Sequence, residues 1–423
     1  MTALRRRVAG RAMPRLLLAT VVCIAILAAF LGVQAIPSTE AVRLRNALLV
    51  EPSSPADFTW TPAQVPAGFL QDAGPVEPLF ADVVRNLGIA ALPDDRAKAL
   101  ALSAHLSQHA DQEGPIQSDL QTTYHAIRKG AGYCADYTAV YLALARAAGL
   151  FAREWGFSFD GFGGHGHAVV EVFDRQHQRW MFLDVFNNFH PVYAGSDEIL
   201  SVAEFRAFLH GEGPAVRIVK TGPGRAGMKY EDKLLAYYRH GMDQWYLWWG
   251  NAVFDYERAP VVAALGHVSR SLEQLGAIVA GVHPHVRIVE TPSNQALVAR
   301  MTRLATQIRV IAAVEAVLAL LMLVQILAWR RSGRRENPLC WNNPPIPACV
   351  WPSSDLFRRP PAAWPTSASS CSACCAPKAR RWSWSVPIRR ISPSGLAAFR
   401  CCAPSSGCCL ICGPCGGRAG AAR

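Results

Sequence analysis

The chain has 423 residues, a mean hydropathy of +0.12 and a formal net charge of +12. This length exceeds one ordinary domain, and the hydropathy exceeds that of a purely soluble protein, so several domains and membrane segments are predicted. The positive charge is concentrated at the two ends, and the part between them is mildly acidic. That distribution excludes nucleic acid as the partner of the main part of the protein.

Two long apolar runs can cross a bilayer as helices. The first covers residues 16–36 and follows five arginines; the second covers residues 310–329 and precedes four arginines. Because basic residues stay in the cytoplasm, both ends are predicted to be cytoplasmic and the centre to face the opposite side. The Arg- and Ala-rich composition is typical of a GC-rich bacterium, which makes the membrane the inner membrane and that side the periplasm. Cleavage of the first run as a signal peptide is the alternative.

The central part of the chain contains predicted helices followed by predicted strands. Apolar residues recur at intervals of three and four from Asp94 onward, and the period changes after Gly149. The predicted helices begin near Asp94 and cover Ile116–Arg128 and Cys134–Ala148. The predicted strands are Arg153–Phe159, Ala168–Phe173 and Arg179–Val185, the last two forming a hairpin. This order predicts an α+β fold.

These patterns divide the chain into seven predicted parts. They are a cytoplasmic basic segment (1–15), a transmembrane helix (16–36), a linker with one short helix near Leu79–Leu87 (37–93), a catalytic domain (94–222), a helical aromatic-rich segment (223–309), a second transmembrane helix (310–329) and a basic tail rich in Cys, Pro and Ser (330–423). The aromatic residues are expected to pack against the domain, with a substrate cradle or membrane contact as alternatives. The tail cannot form an ordinary core and is interpreted as disordered or read out of frame.

Cys134 is the single cysteine between the two apolar runs, which makes it a candidate nucleophile in an oxidising compartment. It begins a predicted helix, and a helix N-terminus stabilises the thiolate. A thiolate–imidazolium pair needs a nearby histidine and a group that orients its ring. His167 begins one strand of the predicted hairpin and Asp184 ends the other, so these two side chains are expected to lie together.

The segments GYCADYTAVYLALARAAGLFAR, HAVVEVF and RWMFLDV, in this order, resemble the core of bacterial transglutaminase-like (papain-like cysteine) proteins. In that family a Gly-x-Cys helix ends in an Ala-Gly-x-x-x-Arg step, and a His-Ala-x-x-Glu strand and a Trp-x-x-x-Asp strand follow. The resemblance covers about residues 94–190. It departs from the family pattern at Val169 and Val185, where Trp and Pro are often found.

The resemblance implies N-terminal helices packed on an antiparallel sheet, here between two transmembrane helices, and a Cys-His-Asp triad. Cys134 is implied as the nucleophile, His167 as the general base and acid, and Asp184 as the residue that orients the imidazole. His165 fits the base position less well, because the family's Ala-x-x-Glu follows His167. The backbone amide of Cys134 is the best candidate for an oxyanion donor.

The implied activity is attack on amide or peptide bonds through a thioester. Water as acceptor gives a peptidase or amidase and an amine gives a cross-linking acyltransferase; the resemblance favours hydrolysis. This mechanism requires no cofactor, and no acidic calcium loop is evident. The expected partners are a protein or peptide substrate of the cell envelope and the membrane. The alternatives are a catalytically silent scaffold or binding protein in envelope assembly, and a metal site built from His165, His167, His177 and His190.

Overall fold

The computed structural model describes residues 2–334 except 36–37, 110–113, 115, 117, 226 and 229. The tail predicted for residues 330–423 therefore lies almost entirely outside the described residues.

The described residues contain thirteen α-helices and eight strands. The helices are α1 (Thr2–Gln34), α2 (Ser38–Leu49), α3 (Ala56–Thr59), α4 (Pro78–Asn86), α5 (Asp95–Leu106), α6 (Leu120–Ile127), α7 (Cys134–Ala147), α8 (Val202–Leu209), α9 (Glu231–His240), α10 (Phe254–Arg258), α11 (Pro260–Gly266), α12 (Arg270–Val279) and α13 (Gln295–Arg334). The strands are β1 (Val50–Glu51), β2 (Ala152–Ser158), β3 (Gly166–Asp174), β4 (Arg179–Leu183), β5 (Phe189–Tyr193), β6 (Val216–Lys220), β7 (Trp245–Trp249) and β8 (His285–Ile288). Short 3-10 turns cover Pro62–Gln64, Ile89–Ala91, Ser107–His109 and Met242–Gln244.

The main sheet has the strand order β1-β8-β7-β2-β3-β4, and β5 pairs with β6 separately. Neighbouring strands are antiparallel except β1 and β8, which run parallel. The α+β class and the β3–β4 hairpin predicted from the sequence are confirmed. The sheet is mixed rather than wholly antiparallel, because residues before the first predicted domain supply its edge strand.

The two faces of the sheet bury different kinds of side chain. One face carries small and aliphatic residues such as Val170 and Val172, on which helices α4 to α7 pack around the fully buried Tyr141. The other face carries aromatic residues such as Trp155 and Phe182, covered by α8 and α9. The alternation of side chains along β2, β3 and β4 produces this division.

A buried ion pair joins β2 to β3 on the aromatic face. Arg153 Nε donates to Glu171 Oε2 at 2.8 Å, and Trp155 Nε1 donates to the same oxygen at 2.6 Å. The Arg153 guanidinium lies 3.8 Å from the ring centre of Trp180. The second Glu171 oxygen accepts a hydrogen bond from the backbone of Val202 at the start of α8. This pair therefore fixes β3, which carries His167, against β2 and the start of α8.

The segment 37–93 differs from the linker that the sequence predicts. It contains α2, β1 and α4, and its buried residues include Ala47, Trp60 and Phe80. The predicted short helix near Leu79–Leu87 corresponds to α4. The segment was predicted as a linker because it has no long apolar run. Its short elements are stabilised by packing on residues that are distant in the sequence.

The aromatic-rich segment 223–309 also contains more than helix. Its WYLWW stretch forms β7, an interior strand of the main sheet with all five residues buried, and β8 lies beside it. A short apolar run buried on both faces shows no alternation, so its period does not distinguish a strand from a helix. The prediction that these aromatic residues pack against the domain is confirmed by Tyr238, Trp245 and Trp249 in the aromatic core.

Two apolar helices that are long enough to cross a membrane flank the α+β domain. One candidate span is Pro14–Gln34 in α1, with a mean hydropathy of 2.9, and the other lies in α13, with 2.6. The two helices contact each other through Thr20 and Gln325, whose Nε2 donates to Thr20 Oγ1 at 3.1 Å. Helix α13 begins at Gln295, well before the predicted span. Its residues Met301, Ala305 and Ile308 are buried against the domain.

Candidate active site

Cys134 is the first residue of α7, and its thiol is almost fully buried. Gly132, two residues earlier, has a φ of +114°, which favours glycine. A Cβ there would approach Tyr137 to 3.2 Å and Ile116 to 3.3 Å. The glycine therefore permits the tight turn that presents Cys134 at the N-terminus of the helix, where the helix dipole favours a thiolate.

Asp136 fixes the point at which this helix begins. Its Oδ2 accepts hydrogen bonds from the backbone amides of Tyr133, at 2.8 Å, and Ile116, at 3.1 Å. This is one half of a capping box, in which an acidic side chain satisfies amides that have no partner within the helix. Burial raises the pKa of the Asp136 carboxyl in spite of these two donors.

His167 and Asp184 are brought together by the β3–β4 hairpin, as expected from the sequence. The register pairs Val170 with Leu183, so Asp184 lies just beyond β4 and diagonal to His167 on the aromatic face. His167 Nε2 lies 2.7 Å from Asp184 Oδ2, and both side chains are at most 1% exposed. A carboxylate in this position holds the imidazole ring in one orientation and stabilises its protonated form.

Two residues that the sequence did not indicate complete the surroundings of Asp184. Asn187 donates from its backbone amide to Asp184 Oδ1 at 2.8 Å and from Nδ2 to Oδ2 at 2.7 Å. The Tyr238 hydroxyl donates to Oδ2 as well. Burial alone would raise the pKa of the Asp184 carboxyl, but His167, Asn187 and Tyr238 outweigh burial and lower it.

The surroundings of Tyr238 keep its hydroxyl protonated, so that it can donate to Asp184. The residue lies on α9 and is completely buried. Burial and the negative charge of Asp184 raise the pKa of its hydroxyl well above the usual value. Asn187 follows Asp184 by three residues, so its spacing offered a local signal. Tyr238 lies far along the chain on another element, and nothing near it in the sequence connects it with the site.

Cys134 and His167 line the same cavity, which has a volume of about 620 Å³. The cavity wall also includes the glycine-rich loop before β3, residues of α2 and the inner side of helices α11 and α12. Asp184 lies behind the imidazole, bound to Nε2. The structure thus places a thiol at a helix N-terminus and an oriented imidazole in one cavity.

The other histidines considered from the sequence lie apart from this arrangement. The side chain of His165 is 49% exposed and its Nδ1 is 3.2 Å from Asp160. His177 contacts Asp174, and His190 contacts Thr221. Among the described residues no group of three or more His, Cys, Asp or Glu side chains is placed to hold a metal ion. The structure therefore does not assemble the four-histidine site considered as an alternative.

The chain matches the model of a known protein family. The family model of the transglutaminase-like superfamily matches residues 79–185, which include Cys134, His167 and Asp184. No curated protein and no solved structure matched the chain significantly. The order of helices and strands over the matched residues agrees with the α+β architecture described above. Residues 79–185 of this chain are therefore a transglutaminase-like superfamily domain.

Proposed function

We propose that this protein is a membrane-anchored cysteine enzyme that cleaves amide or peptide bonds through a thioester intermediate. The observation that carries the proposal is the shared cavity, in which Cys134 begins α7 and His167 is held by the buried Asp184. In this proposal Cys134 is the nucleophile, His167 the general base and acid, and Asp184 the residue that positions the imidazole. Membership of the superfamily, whose enzymes are generally cysteine-based, supports this assignment.

The first half of the reaction forms the thioester. Because Nε2 of His167 is bound to Asp184, Nδ1 is the ring atom that exchanges the proton with Cys134. The thiolate attacks the carbonyl carbon, and the carbonyl oxygen becomes negatively charged. The backbone amide of Cys134, at the helix N-terminus, is the proposed donor to this oxygen. The C–N bond then breaks, and the imidazolium gives its proton to the leaving amine.

The second half of the reaction releases the acyl group. A water molecule takes the place of the amine, and His167 removes its proton as it attacks the thioester. The C–S bond breaks, the product leaves as a carboxylic acid, and Cys134 returns as a thiol. An amine in place of water would give a new amide by the same steps. We propose hydrolysis as the outcome and a protein or peptide of the cell envelope as the substrate.

Alkylation of the full chain in lipid nanodiscs tests the nucleophile. At pH 6–7 iodoacetamide is expected to modify Cys134 about 10-fold or more faster than the cysteines after residue 339, because a free cysteine with a pKa of about 8.5 is mostly protonated there. Peptide mass mapping follows each cysteine separately, so the tail cysteines are an internal reference. His167→Ala is expected to slow alkylation strongly and Asp184→Ala less, because Asp184 acts through the imidazole.

The matched control is His165→Ala, which removes a neighbouring imidazole and is expected to leave the rate at Cys134 unchanged. The proposal is wrong if Cys134 reacts no faster than the tail cysteines and a Cys134→Ser strain behaves like wild type. That pair of results would instead indicate a scaffold protein that keeps the fold without the chemistry.

We also propose that the domain lies in the periplasm, anchored in the inner membrane by α1 and α13. The arginines at the outer ends of both apolar spans support this orientation. Alkaline phosphatase inserted at the exposed turn near Asp197 is expected to be active, and a fluorescent protein fused after Arg334 is expected to fluoresce. A cytoplasmic signal from the Asp197 insertion would contradict the orientation.

A further inference from the structure

The outer face of the α11–α12 hairpin is exposed and mostly apolar; its exposed polar residues are His267, Ser269 and Ser271, at the turn between the helices and the start of α12. Its large side chains are 40% exposed at Val261, 70% at Val268, 39% at Leu272, 46% at Leu275 and 80% at Val279. None of the exposed positions between residues 260 and 281 is Asp, Glu, Lys or Arg. Single exposed apolar residues are ordinary, whereas a continuous apolar face marks a contact surface.

The charged residues of this hairpin are turned away from that face. Arg270 and Glu273 form an ion pair, and their side chains are 32% and 13% exposed. Both residues line the cavity that contains Cys134. Helix α12 therefore has a polar side toward the cavity and an apolar side toward the exterior, which is the pattern of helices that lie in a membrane interface, and α11 adds apolar residues beside it.

The base of the hairpin lies where the two apolar spans meet the domain. Ile278 of α12 packs into the same cluster as Ile308 of α13, and the exposed apolar run of α13 begins two residues later at Val310. Helix α12 also packs on α2, which begins four residues after the end of α1. Both spans thus lead directly to the residues that support α12.

We propose that the apolar face of the α11–α12 hairpin is embedded in the boundary between headgroups and acyl chains of the bilayer. The occupant of this surface is phospholipid, and the opposite side of the hairpin forms the membrane-side wall of the Cys134 cavity. Continuity with the spans α1 and α13 and the absence of exposed Asp, Glu, Lys and Arg side chains between residues 260 and 281 favour lipid over a second copy of the chain. The inference rests on the membrane anchoring proposed above and is independent of the proposed catalysis.

Photocrosslinking of the full chain in phospholipid nanodiscs tests this placement. A benzophenone amino acid is introduced at one position at a time: Val268, Val279, Leu320 or Leu87. Leu320 in the α13 span is the positive control for lipid capture. Leu87 is the matched control, an apolar residue 38% exposed that follows the exposed charged residues Asp82 and Arg85 on α4.

The expected result is lipid adducts at positions 268, 279 and 320, detected by mass spectrometry, at least about 5-fold above position 87. Lipid capture at 320 but not at 268 and 279 would overturn the inference and leave the anchoring intact. A covalent dimer formed through position 268 would assign the face to a second copy of the chain and overturn it as well. Absence of lipid adducts at 320 would refute the anchoring and the inference together. Alkylation of Cys134 is measured separately and bears only on the catalytic proposal.

Discussion

Tyr238→Phe removes one hydroxyl from the support of the proposed catalytic histidine. The Tyr238 hydroxyl donates to Asp184 Oδ2, the same oxygen that contacts His167 Nε2. The ring itself stays in place among buried aromatic residues that include Phe182 and Phe205, so the substitution opens no large cavity. Its effects should therefore come from the lost hydrogen bond.

The size of the effect follows from the charge of the acceptor. A hydrogen bond to an ionised group contributes about 1.5–3 kcal/mol. At roughly 2–4 °C per kcal/mol for a domain of this class, the melting temperature should fall by about 3–12 °C. Asp184 would also lose a donor that competes with His167 for its negative charge. The protonated form of the imidazole should therefore be stabilised relative to the wild-type protein.

The pH profile of alkylation by iodoacetate measures the second effect, because this anionic reagent reacts fastest while the imidazolium is present. The alkaline limb of the profile at Cys134 should move to higher pH in Tyr238→Phe. Tyr141→Phe is the matched control, since this buried hydroxyl donates to the neutral carbonyl of Ala99 at 3.1 Å. Tyr141→Phe should lower the free energy of unfolding by about 0.5–1.5 kcal/mol and leave the pH profile at Cys134 unchanged. An unshifted profile in Tyr238→Phe, with a stability loss no larger than that of Tyr141→Phe, would refute the reasoning.

Two further substitutions test the packing around the site. Glu171→Ala leaves the buried Arg153 guanidinium without its carboxylate and should lower the free energy of unfolding by about 3–5 kcal/mol in denaturant titrations, whereas a loss below about 1 kcal/mol would contradict the role of this pair. Burial raises the pKa of the Glu154 carboxyl from 4.5 to about 8 in the folded protein. The stability that the protonated carboxyl contributes is therefore complete below pH 4.5 and is lost as the pH rises through about 8. Glu154→Gln should therefore reduce the loss of stability between pH 5 and pH 9; an identical pH dependence in both proteins would exclude Glu154 as its source.

The sequence predicted the parts of the site that depend on local pattern. The helix that starts at Cys134 follows from a glycine and an apolar period, and the pairing of His167 with Asp184 follows from the hairpin between them.

The residues that the sequence did not predict reach the site through distant packing. Tyr238 contacts Asp184 from a helix 54 positions along the chain, and no local pattern encodes that contact. Strand β7 was not predicted, because a strand buried on both faces lacks the alternation of apolar and polar residues that identifies a half-exposed strand. The segment before residue 94 resembled a linker because its short elements pack on distant ones: α2 and β1 on β8 and α12, and α4 on α7.

The order of strands limits how this domain can be divided. The family match ends at residue 185, so it includes β2, β3 and β4 but not β7, which borders β2 by pairing Trp155 with Leu247 and Phe157 with Trp245. A fragment cut to the matched residues would present the backbone of β2 and these aromatic side chains as a bare sheet edge, a surface that promotes aggregation. It would also lack the helix that carries Tyr238. The smallest transplantable unit is consequently the whole segment from α2 to the domain-facing part of α13, and exchange of the core between relatives would require exchange of the strands on both sides of it.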